Sequence, residues 1–559
     1  MRTPFYRRPG LWLAAAALAA AVPALWMTAQ RGGLSEQKPV VLVSQAPHAA
    51  EPGRYDVPAA TAMATMGSKP IGAGLAAPMK QHAGDGLRSE TAYPGNKFDS
   101  FSENPFQNPT KEPLSTFSID VDTASYALVR SFLTRGEMPP AGSVRIEEMV
   151  NYFSYAYTEP TGDVPFAVHL DAAATPWATT HKLVRVALKG KNVQLSRMDG
   201  VNLVFLVDTS GSMSDPNKLP LLKQGFRMMV DSLNPTDRVA IVAYAGSAGL
   251  VLPSTPVSQK STILGALDRL ESGGSTNGGA GINLAYSVAS EHFFKGGVNR
   301  VILATDGDFN VGATSNEALV DLIQEKAKTG VFLSVLGFGM GNYNDSLLEK
   351  IADKGNGQYS YIDSEVEAKR ALVDGLGGLV TIAKDVKIQI EWNPQLVSGY
   401  RLIGYENRTM AAEDFNNDKK DAGELGAGHT VTALYEITQN PTAGPAAGPN
   451  GGLKYQPSSE PAPATGELCT VKLRYKDPAG TDSKLIEKVL VDKPNQEMSA
   501  DFKFAAAVAS FGMLLRKSPH AGSATYQSVL DLAEPGAGND PRRRELVDLV
   551  KKMAQARRE

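Results

Sequence analysis

The sequence predicts an α/β fold in which a doubly wound, mostly parallel sheet is inserted in or flanked by a β-sandwich, with additional N- and C-terminal helices. Between about residues 199 and 382, apolar strand-like segments alternate with amphipathic helical patterns, which is typical of a parallel sheet covered on both faces. From residue 384 onward, apolar residues recur with period two, the spacing of half-buried strands. Two similar segments, at 165–173 and 181–188, precede the parallel sheet and need partner strands from elsewhere in the chain.

Composition sets the size of the protein and excludes some classes of function. At 559 residues the chain is too long for one hydrophobic core, and we expect two to four domains. A formal net charge of −3 gives no electrostatic reason to expect nucleic-acid binding. The one cysteine, Cys469, excludes a disulfide framework within the chain, and its strand-like surroundings favour a buried, unreactive thiol.

The first 30 residues predict export, as a signal peptide or a membrane anchor. Arginines within residues 2–8 precede an almost wholly apolar run at 11–27, as in the positive and hydrophobic regions of a signal peptide. The run is short for a spanning helix and contains Pro23, but no good cleavage site follows it. We therefore expect the protein in the periplasm or cell envelope, either released by cleavage or attached to the inner membrane through residues 11–27.

Two further regions are expected before the parallel sheet. Residues 31–95 are rich in Pro, Ala, Gly and Ser without sustained periodicity, which predicts a disordered linker. Residues 96–198 form an N-terminal flanking region, with a strand-like segment at 115–121 and helical spacing of apolar residues at 124–133 and 144–153.

An Asp-x-Asp sequence, Asp120 and Asp122, follows the strand-like segment. It superficially matches the start of haloacid-dehalogenase-type phosphotransferases, in which one aspartate is the nucleophile and the other a general acid. That chemistry needs a doubly wound core with a lysine and a further acidic pair, whereas two short helices and a Pro/Gly turn follow here. We therefore interpret the motif as an aspartate N-cap of the helix that starts near Thr123.

An acid and two hydroxyls follow the most apolar strand of the chain. Residues 201–207 have the length and β-branched content of a fully buried parallel strand, and they end in Asp208-x-Ser210-x-Ser212. In open α/β sheets, ligands bind beyond the carboxyl ends of the strands. Oxygen-only ligands suit a hard cation, and Mg²⁺ prefers few carboxylates, with hydroxyls, waters or a partner completing its octahedron. The pattern therefore predicts a divalent-metal site.

This pattern resembles the metal-ion-dependent adhesion site of von Willebrand factor type A (VWA) domains. The resemblance assigns further metal ligands to Thr276, in a Gly-rich loop ahead of a helix, and to Asp306, after a second apolar strand at 301–305. It implies a VWA domain with a Rossmann-like sheet at 199–382, binding Mg²⁺ or Mn²⁺, with an open position for an Asp or Glu carboxylate of a partner protein. No GxxxxGK[ST] or GxGxxG pattern follows a strand, so nucleotide binding has no motif support.

The C-terminal part of the chain predicts a β-rich region at 383–495 and helices at 496–559. We expect the β-rich region to form one sandwich with the two strands that precede the VWA domain, which would then be inserted in it. A helical pattern at 364–380 closes the VWA domain. The last helix begins with Asp540 as N-cap, and the three arginines at 542–544 are predicted to lie on its solvated face.

Three long segments resemble one bacterial family, the YfbK-like VWA proteins. They are STFSIDVDTASYALVRSFL at 115–133, VRIEEMVNYFSYAY at 144–157 and NRTMAAEDFNNDKKDAGELGAGHTVTALYEI at 407–437, and the resemblance covers about 105–555. It implies a secreted or envelope-anchored binding module, with no established enzyme activity.

Two other classes of function remain open from the residues alone. A metal-dependent hydrolase would need a general base near the metal, usually His or Glu. The seven histidines are scattered along the sequence, and Asp308 is the only spare acid close to a metal loop. A structural scaffold with a vacant site is the other alternative. We predict a non-enzymatic, cell-envelope protein-binding module.

Overall fold

The computed structural model describes residues 95–193, 198–274, 278–307, 315–440, 466–493 and 495–556, with three two-residue stretches between 446 and 462. The predicted signal peptide or anchor at 1–30, the linker as far as residue 94, Thr276 and Asp308 lie outside the described residues. Within the described ranges, no helix combines the length and apolar character needed to cross a membrane.

The strands of the described part are named in chain order. They are β1 (Leu114–Ser118), β2 (Phe166–Thr175), β3 (Ala178–Gly190), β4 (Val201–Asp208), β5 (Arg238–Tyr244), β6 (Ala248–Pro256), β7 (Val298–Thr305), β8 (Phe332–Phe338), β9 (Tyr359–Ile362), β10 (Thr381–Trp392), β11 (Val397–Ile403), β12 (Thr409–Met410), β13 (Gly423–Gly426), β14 (Thr430–Gln439), β15 (Ala446–Ala447), β16 (Pro461–Ala462), β17 (Glu467–Lys476) and β18 (Ser483–Val491).

The α-helices are named in the same way. They are α1 (Ala124–Thr134), α2 (Ile146–Asn151), α3 (Leu219–Asp231), α4 (Lys260–Asp268), α5 (Gly278–Glu291), α6 (Asn316–Ala327), α7 (Asp345–Lys354), α8 (Glu365–Lys369), α9 (Ala500–Arg516), α10 (Tyr526–Ala537) and α11 (Pro541–Ala556).

A six-stranded sheet occupies the middle of the chain, in the order β6-β5-β4-β7-β8-β9. Neighbouring strands are parallel except at one edge, where β6 runs antiparallel to β5. The prediction of a mostly parallel sheet is therefore confirmed. The central position of β4 places its carboxyl end between those of β5 and β7.

Helices cover both faces of this sheet, which explains why β4 is apolar at nearly every position. Leu203 and Phe205 lie in the core that contains side chains of α3, α4 and α8, and the ring of Phe205 stacks on Phe226 at 3.8 Å between centroids. Val204 and Leu206 point to the opposite core, with side chains of α5, α6 and α7. A strand that is buried on both faces cannot alternate apolar with polar residues.

A β-sandwich is built from strands on both sides of the parallel sheet in sequence. One antiparallel sheet has the order β12-β1-β10-β17-β18, with β13 also paired to β10, and the other has the order β11-β14-β3-β2. Phe117, Trp392 and Tyr435 lie in the core that the two sheets share. Since β1 pairs with β10 and β3 with β14, the α/β unit leaves and re-enters the sandwich. The individual domain boundaries given above remain predictions.

The N- and C-terminal helices share one further core. Side chains of α1 and α2, such as Tyr126 and Phe153, pack with those of α9, α10 and α11. Phe153 meets Phe504 of α9 edge to face, with 5.0 Å between ring centroids. The predicted additional helices are therefore present and pack together, although the two rings belong to Phe153 and Phe504, about 350 positions apart in sequence.

The prediction of a continuous helix at 364–380 is wrong. Helix α8 ends at Lys369, and the chain continues as a π turn at Arg370–Asp374 and a 3₁₀ turn at Leu376–Leu379. Three glycines in this segment lower its helix propensity. One of them, Gly378, also approaches the sandwich closely, because a Cβ there would lie 2.0 Å from Nε2 of His429.

The predicted aspartate N-cap of α1 is also wrong. Thr123 occupies the N-cap position, and no side chain caps the helix there. Asp122 instead accepts a hydrogen bond from the amide of Tyr359 in β9 at 2.7 Å, and Asp120 accepts one from the amide of Asp122 at 3.0 Å. Arg408 of the sandwich region lies 3.3 Å from Asp122. The motif therefore connects the N-terminal segment to the edge of the parallel sheet.

The three consecutive arginines near the start of α11 are not all solvated. Arg543 is 7% exposed, donates to the carbonyl of Gly536 at 2.6 Å and pairs with Asp501 at 2.8 Å. Successive side chains of a helix point about 100° apart, so a run of three cannot stay on one solvated face. Asp540 does act at the helix start, where it accepts from the amide of Arg542 at 2.8 Å.

Glu147 of α2 is expected to make stability depend on pH. It is 2% exposed, and burial, with a smaller effect of the Glu406 charge, raises its pKa from 4.5 to about 7. A raised folded-state pKa contributes stability below the unfolded value, and that contribution is lost as pH rises through the folded value. The neutral variant Glu147→Gln should therefore gain stability relative to the wild type between about pH 5 and about pH 8, measured by urea unfolding.

The matched control is Glu365→Gln, which removes an exposed carboxylate at the start of α8. Its free energy of unfolding should stay within about 0.5 kcal/mol of the wild type, as for most substitutions of exposed residues. A difference between Glu147→Gln and the wild type that does not change with pH would contradict the assignment of a raised pKa to the Glu147 carboxyl.

Candidate metal centre

The first three predicted ligands lie in the loop that follows β4. The strand is buried at every position and ends at Asp208, after which a 3₁₀ turn spans Gly211–Ser214. Because β4 and β7 pair in parallel, with Val207 opposite Ala304, their carboxyl ends lie side by side. The loops that carry Asp208 and Asp306 therefore start from the same edge of the sheet.

The carboxylate of Asp208 is buried and held by hydrogen bonds on both oxygens. Oδ1 accepts from the amide of Ser210 and Oδ2 from the hydroxyl of Thr305, each at 2.9 Å. Burial raises the pKa of Asp208 to about 6, against the hydrogen bonds from Ser210, and the nearby charge of Asp306 adds to the increase. A buried carboxylate with a second carboxylate nearby is a place where a cation is favourable.

The two serines add neutral oxygens at the spacing that a small cation needs. Their hydroxyl oxygens are 3.0 Å apart. Adjacent ligands of an octahedral Mg²⁺ with bonds of about 2.1 Å are about 3 Å apart, so this pair fits. Ser210 is buried at 3% exposure, whereas Ser212 is exposed to solvent. The donor set of one carboxylate and two hydroxyls therefore fits a hard divalent cation that a further ligand could reach from solvent.

Asp306 forms an ion pair with a lysine side chain, Lys218. Nζ of Lys218 donates to Oδ2 of Asp306 at 2.9 Å and to the carbonyl oxygen of Ser212 at 2.9 Å. Asp306 is 5% and Lys218 6% exposed. The ammonium group therefore links the two loops of the candidate site.

The fifth predicted ligand, Thr276, lies outside the described residues. The residues just before it do reach the metal loop. The amide of Gly273 donates to the carbonyl of Thr209 at 2.7 Å, and the amide of Gly211 donates to the carbonyl of Gly274 at 3.2 Å. The described part of the chain thus brings Asp208, Ser210, Ser212 and Asp306 to one edge of the sheet, and their role as metal ligands stays a prediction.

Two residues of this site were not predicted from the sequence. Thr305 orients the Asp208 carboxylate, and its position as the polar last residue of an apolar strand is a signal that could have identified it. Lys218 lies just before α3, where a lysine usually faces solvent. In the structure it instead points inward and pairs with Asp306, 88 positions later. No residue near Lys218 in sequence indicates this ion pair.

Family models match most of the chain. Residues 202–374 match the model of the von Willebrand factor type A domain, and residues 377–556 match the model of the C-terminal region of uncharacterized protein YfbK. Residues 93–185 match a third model, described as von Willebrand factor.

Individual proteins agree with these models. The chain is 42% identical over 490 residues to uncharacterized protein YfbK of Escherichia coli (strain K12), covering 85% of this chain and 84% of that protein. It is 28% identical over 182 residues to human inter-alpha-trypsin inhibitor heavy chain H4, covering 31% of this chain and 19% of that protein. A von Willebrand factor type A structure from Catenulispora acidiphila matches with 17% identity and a TM-score of 0.41, covering 71% of this chain and 92% of that one, too low to add to the assignment. The chain therefore belongs to the YfbK family of bacterial VWA proteins.

Proposed function

We propose that this protein is a cell-envelope protein-binding module that recognises its partner through a divalent metal, Mg²⁺ or Mn²⁺. A VWA domain suggests an adhesion-type or protein-interaction module, and the finer assignment is our inference. The observation that carries it is the group of one buried carboxylate and two hydroxyls at the end of β4, beside Asp306.

The chemistry of these ligands favours recognition of an acidic group. Hydroxyls are neutral, so a metal bound mainly through Ser210, Ser212 and Thr276 keeps much of its positive charge. Asp208 and Asp306 then act on it directly or through hydroxyls and waters. Because Ser212 is exposed, an Asp or Glu of a partner protein could complete the coordination from solvent. This arrangement makes binding conditional on both the metal and the partner's carboxylate.

The location in the envelope is proposed from the sequence of the N-terminal segment. The arginines at 2–8 and the apolar run at 11–27 support export, with cleavage or inner-membrane attachment as the two outcomes. We propose no enzymatic activity, and no specific observation in the described residues favours the metal-dependent hydrolase or the vacant scaffold.

Metal-dependent capture of a partner tests this function. The full chain is immobilised and exposed to solubilised envelope extract with Mg²⁺, with a chelator, and as the variant Asp208→Ala with Mg²⁺. We expect one protein to be retained only by the wild type with Mg²⁺. Only that sample has both the metal and the Asp208 carboxylate, so only there can a metal bridge the site and an Asp or Glu of the partner.

The matched control is Ser214→Ala, which removes an exposed hydroxyl from the same 3₁₀ turn but outside the predicted ligand set. It should retain the same protein as the wild type. If the chelator and Asp208→Ala both leave retention unchanged, metal-bridged recognition is contradicted. The partner would then bind a surface other than the candidate metal site.

A further inference from the structure

Lys218 places a positive charge inside the candidate metal site. Its ammonium group is 2.9 Å from Oδ2 of Asp306 and 2.9 Å from the carbonyl oxygen of Ser212, and its side chain is 8% exposed. Asp215, whose carboxylate is 3.8 Å away, is 63% exposed and competes weakly for this charge. The main partner of the ammonium is therefore one of the predicted metal ligands.

The backbone around Lys218 fixes this position. Its carbonyl accepts from the amide of Leu222 at 2.9 Å, which places it at the first turn of α3. On the other side, the aliphatic part of its side chain packs against Gly339, which follows β8 and has φ of +68°. A Cβ at position 339 would lie 2.2 Å from Cε of Lys218, so only glycine leaves room for the extended lysine. The ammonium is thus held in place from two elements.

Two cations cannot share one carboxylate without repulsion. A divalent metal at this site gains from the charge of Asp306, whether Asp306 binds it directly or through water. The Lys218 ammonium already offsets that charge, and its own positive charge opposes the metal at short range. In the absence of metal, the same ammonium offsets the negative charge of the buried Asp306 carboxylate.

We propose that Lys218 is a tethered cation that competes with the divalent metal for Asp306, weakening metal binding and stabilising the metal-free form of the site. This inference rests on the proposed function, since it concerns regulation of the same site. Lys218 then sets the concentration of metal at which the module becomes competent to bind. It acts through Asp306 and is a positioning residue, not a ligand.

Calorimetric titration of Mg²⁺ into the full chain tests this role. The variant Lys218→Met removes the charge and keeps most of the aliphatic chain. We expect Mg²⁺ to bind at least about tenfold more tightly than to the wild type, because a like charge at short range is removed. Without metal, the variant should melt at a lower temperature than the wild type, and saturating Mg²⁺ should reverse that loss.

Two further variants make the result decisive. Lys223→Met removes a lysine of the same helix whose ammonium binds the carbonyls of Asp268 and Leu270, and it should leave Mg²⁺ affinity unchanged. Lys218→Gln keeps a hydrogen-bond donor without the charge, so it should bind Mg²⁺ more tightly even if Lys218→Met fails to fold.

The outcomes separate this inference from the function on which it rests. Wild-type protein that binds no Mg²⁺, with variants that bind none either, would overturn the proposed function and this inference together. Wild-type protein that binds Mg²⁺ with the same affinity as both Lys218 variants would overturn only the competition. Weaker binding by the variants would also overturn it, because Lys218 would then support the metal-loaded form.

Discussion

Replacing Arg145 by methionine is expected to lower the free energy of unfolding by about 3–5 kcal/mol, the usual cost of removing one partner from a buried ion pair. Arg145 is 4% exposed, and its guanidinium contacts the carboxylates of Asp345, at 2.5 Å, and Glu148. Glu349 lies 3.8 Å away. Methionine would fill a similar volume but would leave three buried carboxylates without this counter-charge.

This loss of stability would show that the ion pairs of Arg145 attach the N-terminal segment to the parallel sheet. Arg145 lies at the N-cap of α2, whereas Asp345 begins α7 on the face of the sheet. Urea unfolding of the full chain measures the loss. The control is Lys328→Met, whose pair with Glu325 joins two side chains that are 65% and 69% exposed, and which should change stability by less than about 1 kcal/mol. Equal effects of the two substitutions would show that the buried ion pairs of Arg145 do not stabilise this contact, and would contradict the prediction.

Replacing Asp208 by asparagine is expected to weaken divalent-metal binding at least about 100-fold while the protein stays folded. Loss of a residue that only supports a ligand typically costs about 10–100-fold in metal affinity, and loss of a charged ligand should cost more. Asparagine has the same shape, and its carbonyl oxygen can still accept from the amide of Ser210, as Oδ1 of Asp208 does at 2.9 Å. The loop therefore keeps its main internal hydrogen bond.

Thermal unfolding with and without Mg²⁺ checks this second prediction. A ligand that binds only the folded state raises the melting temperature by an amount that grows with the ratio of its free concentration to its Kd, so Mg²⁺ should stabilise the wild type and not Asp208→Asn. In the absence of metal, the two proteins should melt at similar temperatures. A variant that is unfolded without metal would show instead that Asp208 is needed for the fold itself.

The parallel sheet could be predicted because its signal is local. Residues 201–207 are almost uniformly apolar since helices cover both faces of β4, and the acid and hydroxyls then follow at the strand end. The period-two pattern of the sandwich strands is also local, because alternate residues of β14, such as Val431, Ala433 and Tyr435, lie in the core that the two sheets share. The role of Asp540 at the start of α11 could also be predicted from the neighbouring residues.

What could not be predicted depends on partners far away in sequence. Asp122 was interpreted as a helix cap, but its hydrogen-bond partner is the amide of Tyr359, 237 positions later. Arg543 was expected in solvent, but it donates to the carbonyl of Ser154. The burial of Lys218 could not be predicted, because its ion pair with Asp306 forms only when β4 and β7 lie side by side. Charged residues carry little local signal about whether a distant partner will bury them.

Mn²⁺ binding shows whether the residues at the end of β4 hold a divalent metal. Free Mn²⁺ gives an electron paramagnetic resonance signal that disappears on binding, and Mg²⁺ should compete at the same site. We expect one Mg²⁺-competed site in the wild type and in Ser214→Ala, and none in Asp208→Asn. Equal Mn²⁺ binding by the wild type and Asp208→Asn, or no Mg²⁺-competed binding by the wild type, would contradict this expectation.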